Sequence, residues 1–159
     1  MTSEHGSLKQ RLHGDLTDGI RSRDELRTAT LRMALTALTN EEVSGKVARE
    51  LSDDEVVAVL QREAKKRRES AEAYDGAGRP ELAERERAEL AVLAGYLPAA
   101  MADDDLAAIV AAAVAQARAD GAEGPRAMGA VMKLVTPQVS GRAEGGRVAA
   151  EVRRQLGPG

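Results

Sequence analysis

The sequence predicts an all-α protein, and three observations carry that prediction. The 159-residue chain has no Phe or Trp and only two aromatic residues, Tyr74 and Tyr96, so its core must be built from Leu, Val, Met and Ala. Cores of small aliphatic side chains suit close-packed helices, whose axes Ala allows to approach, better than they suit sheets. Charged residues make up 31% of the chain and good helix formers run throughout it. Finally, apolar residues recur at intervals of three and four, the helical period.

Taken in order, Ser7-Leu8-Lys9-Gln10 has the S-x-x-Q form of a capping box, and Leu8, Leu12, Leu16 and Ile20 follow at helical spacing. A first helix is expected over about Ser7 to Arg21. Asp24 can cap a second, in which Leu31, Ala34, Leu35 and Leu38 line one face and Leu26, Ala29, Met33 and Ala37 nearly the opposite one. A helix apolar on two sides is expected at the centre of its domain. The pattern weakens from Glu41 to Gly45, a loop or a frayed end. Ser52-Asp53-Asp54-Glu55 is then a full capping box, with extra acid where the helix dipole favours it.

That box opens a long helix hairpin. Its arms fold back at Asp75-Gly76-Ala77-Gly78-Arg79-Pro80, and Tyr96-Leu97-Pro98 ends the second arm, because the residue before proline is pushed out of the helical region. A domain boundary is expected near Pro98, dividing the chain into residues 1–98 and 99–159. Beyond it, Asp103-Asp104-Asp105 is expected to cap an Ala- and Val-rich helix running to about Asp120. A loop at Gly121 to Pro125 precedes a short helix through Met128, Val131, Met132 and Val135, which Thr136-Pro137 should stop. After the glycine-rich turn from Ser140 to Gly146, a last helix carries Val148, Val152 and Leu156. The C-terminal part is thus a small three-helix domain.

The hairpin has charges on the side that should be buried. At about 100° per residue, Val56, Leu60, Glu63, Arg67, Ala71 and Tyr74 share a stripe on the first arm, as do Leu82, Glu86, Glu89, Leu93, Tyr96 and Leu97 on the second. A buried charge persists only when paired, so Arg67 should be met by Glu86 or Glu89, with Arg27 a further candidate for the same ion network. Paired carboxylates could also do acid–base work, but no histidine or serine nucleophile lies nearby in sequence to complete a site, and a register-fixing network is the better reading.

Several functions are excluded or left without support by composition. The chain has no cysteine, hence no disulfide, thiolate metal site or cysteine nucleophile, and His5 and His13 make no ligand pattern. No cofactor or metal is implied. The glycines form no dinucleotide or P-loop fingerprint. The N-terminus has no apolar run, and the longest apolar stretch, Leu106 to Ala115, is about half a membrane span. A cytoplasmic protein without a membrane segment is expected. The net charge of -3 gives no global pull toward nucleic acid, and no DNA partner is expected. Locally, Arg62, Lys65, Lys66, Arg67 and Arg68 make the one dense basic cluster. It reads either as a solvated face neutralised by Glu63, Glu69 and Glu72, or as a phosphate-contacting patch.

A family resemblance runs through these segments. Asp15-Leu16, Leu31-Arg32-Met33, Asn40, Leu51-Ser52-Asp53, the run Lys65 to Ser70 with Tyr74, Glu86 to Leu93, Tyr96-Leu97-Pro98, Met128 to Met132 and Gly141-Arg142-Ala143 together resemble the YqeY-like proteins. That family is similar to the C-terminal helical and tail region of the B subunit of the tRNA-dependent amidotransferase. A related helical region precedes the catalytic domain of some glutaminyl-tRNA synthetases. The resemblance implies an all-helical protein, an association with tRNA, and a family label of carbon–nitrogen ligase with glutamine as amido donor. It does not imply that this chain catalyses the reaction alone, because the amidotransferase activates its substrate in a separate catalytic domain.

Three functions follow as expectations. The first is a non-catalytic tRNA-binding module, with Lys65, Lys66 and Arg68 on the hairpin and Lys133, Arg142 and Arg147 around the C-terminal glycine turn contacting phosphates. The second is an adaptor docking on an amidotransferase or synthetase subunit through the alanine-rich C-terminal helices, which would require an exposed apolar patch there. The third is an amidotransferase-type enzyme using Glu86 or Glu89, which would require those carboxylates to line a cleft.

Overall fold

The computed structural model describes residues 7–158. Among these residues the secondary structure is helical throughout: α1 (Leu8–Ser22), α2 (Glu25–Glu42), α3 (Asp53–Gly76), α4 (Pro80–Ala94), α5 (Asp103–Ala119), α6 (Pro125–Val139) and α7 (Gly145–Leu156). The chain divides into two compact units, Met1–Leu97 and Pro98–Gly159. No helix among the described residues is long and apolar enough to cross a membrane.

In the N-terminal unit, local chemistry sets the helix starts. Ser7 and Ser52 each cap a helix, with Gln10 and Glu55 returning the bond to complete a capping box. Asp53 Oδ1 also accepts from the Leu8 backbone N–H at 3.0 Å, tying the start of α1 to that of α3. Between α1 and α2 the chain turns in two residues. The Arg23 N–H reaches the Ile20 carbonyl at 3.2 Å and the Asp24 N–H reaches Gly19 at 3.0 Å, closing α1, while the Asp24 side chain accepts from the Arg27 N–H to open α2. The turn places Arg23 at φ 58°, a left-handed conformation that favours glycine. The two helices approach so closely that a Cβ on Gly19 would lie 2.9 Å from Thr28 Oγ1.

The core of this unit gathers Leu12, Leu31, Leu38, Val56, Leu60 and Leu93 from all four helices. One face of α2, with Leu31, Ala34, Leu35 and Leu38, is buried as its pattern requires. The opposite face is not covered as expected, since Met33 is 51% exposed. Helix α2 packs on α1, α3 and α4, and of its second apolar face Leu26, Ala29 and Ala37 are half-buried while Met33 is open to solvent on one side. The hairpin turns where glycine and proline permit: α3 ends at Gly76, Gly78 takes φ 71°, and Pro80 starts α4 at a position where its missing N–H costs nothing.

In the C-terminal unit, Val110, Val131, Val135, Val139, Val148 and Val152 make a core of β-branched side chains from α5, α6 and α7. Two local expectations are corrected here. Ala102, not an aspartate, is the N-cap of α5, and Asp103, Asp104 and Asp105 form its first turn, where they complement the dipole without a capping bond. Pro137 does not stop α6, which runs on to Val139. Val139 is only 2% exposed and shares a face with Val131 and Val135, so burying it outweighs the hydrogen bond the proline cannot make.

Arg23→Gly relieves the left-handed strain at an exposed position without removing a contact. It is expected to raise unfolding free energy by up to about 1 kcal/mol in urea denaturation, whereas Gly19→Ala lowers it.

Candidate functional site

The Arg67 guanidinium lies inside the hairpin, with its side chain 5% exposed. Four residues back on α3, Glu63 accepts twice: Arg67 NH1 donates to its Oε2 and to its carbonyl oxygen, each at 3.0 Å. From α4, Glu89 Oε2 comes within 3.3 Å of Arg67 Nε. The remaining nitrogen, NH2, is 3.8 Å from Met33 Sδ on α2. Nε faces Glu89 closely enough for ionic attraction but without hydrogen-bond alignment, and it is the buried side-chain polar atom left without such a bond. Each carboxylate has a second, outer cation: Lys66 Nζ at 3.1 Å from Glu63, and Arg85 Nε at 3.6 Å from Glu89. Burial alone would raise the pKa of Glu63, but hydrogen bonds from Arg67 and Lys66 outweigh it and hold the carboxyl below its ordinary range.

The five residues expected in one ion network do not all meet. Arg67, Glu63 and Glu89 do, Glu86 is half-buried on α4 outside this pairing, and Arg27 belongs to a separate cluster. In that second cluster the Tyr96 hydroxyl donates to Asp15 and accepts from Arg27 NH2 at 3.3 Å, while Arg27 lies 3.6 Å from Asp15. The Arg11 guanidinium sits 4.8 Å from the centre of the Tyr96 ring. Burial, then the Asp15 carboxylate, push the Tyr96 hydroxyl up to about 12. Asp15 is a central partner that apolar periodicity does not single out, because it is a carboxylate at the margin of the stripe through Leu8 and Leu12. A polar residue beside the apolar stripe, with an inward Tyr elsewhere, was the available signal.

Of the basic side chains expected to contact phosphate, Lys66 touches the first cluster through Glu63. Lys65, Lys66 and Arg68 are exposed on α3, and among the described residues Lys65 takes part in no ion pair. On the same helix Arg62 pairs with Glu41 of α2 at 3.2 Å. In the C-terminal unit Lys133 is exposed on α6 and Arg142 in the turn after it. Arg147 is instead engaged: its NH2 donates to the Met101 carbonyl at 2.7 Å and to Asp103 Oδ1 at 2.6 Å, tying the start of α7 to that of α5.

Glu86 and Glu89 line neither of two principal concavities, and Glu89 is held between two arginines. Among the described residues no three metal-ligating side chains converge. His13 is exposed on α1, and His5 lies outside the described residues.

Comparison with known proteins gives two findings. The model of a family described as Yqey-like protein matches residues 9–156. A curated fungal protein of Pyrenophora tritici-repentis (strain Pt-1C-BFP), named altered inheritance of mitochondria protein 41, mitochondrial, is 29% identical over 137 residues, 84% of this chain and 71% of its own.

Arg67→Met leaves two carboxylates with only their outer cations, Lys66 and Arg85, and should destabilise the N-terminal unit by up to about 3 kcal/mol, while adding Glu63→Gln and Glu89→Leu should restore most of that loss in urea denaturation. For Tyr96, the folded state keeps its proton where the unfolded state, at about 10, has lost it. Its contribution to stability is therefore complete below pH of about 10 and lost as pH rises through about 12. In a Tyr74→Phe protein, phenolate absorbance should show the folded midpoint near 12. Asp15→Asn should lower that midpoint without bringing it to the unfolded value, because burial remains.

Proposed function

This chain belongs to the YqeY-like family, and we propose that it is a non-catalytic tRNA-binding module. The observation that carries the reading is the division of charge on α3. Of the run Lys65-Lys66-Arg67-Arg68, Arg67 alone turns inward and is consumed by Glu63 and Glu89, while the other three side chains stand exposed. Phosphate contacts from exposed Lys and Arg position a protein on folded RNA without stacking aromatics, and neither tyrosine is exposed. Lys133 and Arg142 supply cations on the C-terminal unit, but Arg147 is better read as a structural tie. The resemblance to the tail region of the amidotransferase B subunit points to tRNA as the class of RNA.

The ligase label of the family is read here as kinship with an enzyme, since Glu89 is sealed by arginine and Glu86 lies outside both concavities. An adaptor role finds less support. Leu134, at 37%, is the exposed large hydrophobic among the described residues of the C-terminal unit, and a single such side chain is ordinary on a protein surface. The reading applies in any compartment that holds tRNA, and the fungal relative is named as mitochondrial.

Binding to total tRNA across a salt series tests the reading. Affinity should fall on a log–log plot with a slope of roughly -0.7 to -0.9 per phosphate neutralised, and Lys65→Ala with Lys66→Ala should reduce both affinity and slope. Salt-insensitive binding, or a slope unchanged in the double variant, counts against this face.

A further inference from the structure

A groove of about 350 Å³ lies between α2 and α3, lined by Arg32, Met33, Thr36, Ala37, Asn40 and Glu63. Arg32, Thr36 and Asn40 follow at intervals of four and so share one face of α2. All three are exposed, and among the described residues their side chains make no hydrogen bond or ion pair. Half-exposed Met33 stands among them, backed by the buried Arg67 through the contact to its sulfur. Outside the lining, Lys66 pairs with the Glu63 carboxylate at 3.1 Å.

These side chains differ in what they can hold. Arg32 offers a phosphate a cation with a planar fork of donors. The Asn40 amide offers a donor and an acceptor side by side, the pair that reads a base edge, and the Thr36 hydroxyl can do either. A thioether packs favourably against an aromatic ring, and neither tyrosine lines the groove, so the ring would come from the ligand. The volume is at the small end of ligand pockets, enough for one ring system and its sugar and too little for a duplex.

We infer that this groove takes a single unstacked nucleotide of a folded RNA, its phosphate on Arg32, its ring on Met33 and its base edge on Asn40. The inference rests on the RNA reading above and deepens it: the lysines of α3 would supply affinity for any RNA backbone, and the α2 groove would prefer RNA with an extruded base.

The test compares total tRNA with a fully paired RNA duplex, using the full chain, Asn40→Ala and the Lys65→Ala/Lys66→Ala variant, each confirmed folded by circular dichroism. Asn40→Ala should weaken tRNA binding roughly 5- to 100-fold with the salt slope and duplex affinity unchanged, whereas the lysine variant should weaken both RNAs and lower the slope. If Asn40→Ala binds tRNA like the parent, or loses tRNA and duplex equally, the nucleotide site is overturned while the RNA reading stands. If the parent binds neither RNA at low salt, the RNA reading fails and this inference with it.

Discussion

The N-terminal unit depends on one buried cation. Arg67 draws on Glu63 from its own helix and on Glu89 from the facing one, so the second contact ties α4 to α3 at this register. A shift of α4 by one residue would rotate Glu89 by about 100° away from the guanidinium and leave charges buried without partners, at a cost of several kcal/mol. Leu, Val and Ala alone impose no such penalty, because apolar attraction is non-directional. An aliphatic core with few aromatic shapes to interlock therefore takes its register from an ion pair. The Tyr96 cluster plays a matching part just beyond the C-terminus of α4, where Asp15 and Arg27 bring α1 and α2 to the same hydroxyl.

The same pairing shapes the surface. Since Arg67 is drawn inward, the basic run on α3 is sorted by side: one guanidinium neutralised in the core, and Lys65, Lys66 and Arg68 displayed outside it. Met33 links the two, as its sulfur touches the buried guanidinium while half of its surface remains open to the groove on α2. Packing requirement and candidate interface thus share side chains. A substitution at Glu63 would disturb both.

Much of the architecture was legible because its signals are local. A capping box joins residues three apart, so Ser7 and Ser52 announced two helix starts, and the glycines and proline between Asp75 and Pro80 announced a reversal that needs no distant partner. The stripe through Val56, Leu60 and Arg67 was readable for the same reason. Less legible were features that answer to distant packing. Pro137 reads as a stop, yet Val139 is buried beyond it, and the second apolar face of α2 reads as a core face, yet Met33 on it is half-exposed.

By itself, the sequence determined the helical class, the helix starts and turns, and the presence of an inward Arg67 requiring acidic company. It could not choose between Glu86 and Glu89, which lie on the same stripe of α4 within one turn of each other. Nor could it join Asp15 to Tyr96 across 81 residues, separate Arg27 from the Arg67 cluster, or reveal that Arg147 ties α7 to α5. Those choices belong to the tertiary structure, because helical periodicity states which side of a helix faces in but not how far that helix slides or rolls on its neighbour. Hydrogen-bond and ion-pair distances of about 3 Å are decided by that residual freedom.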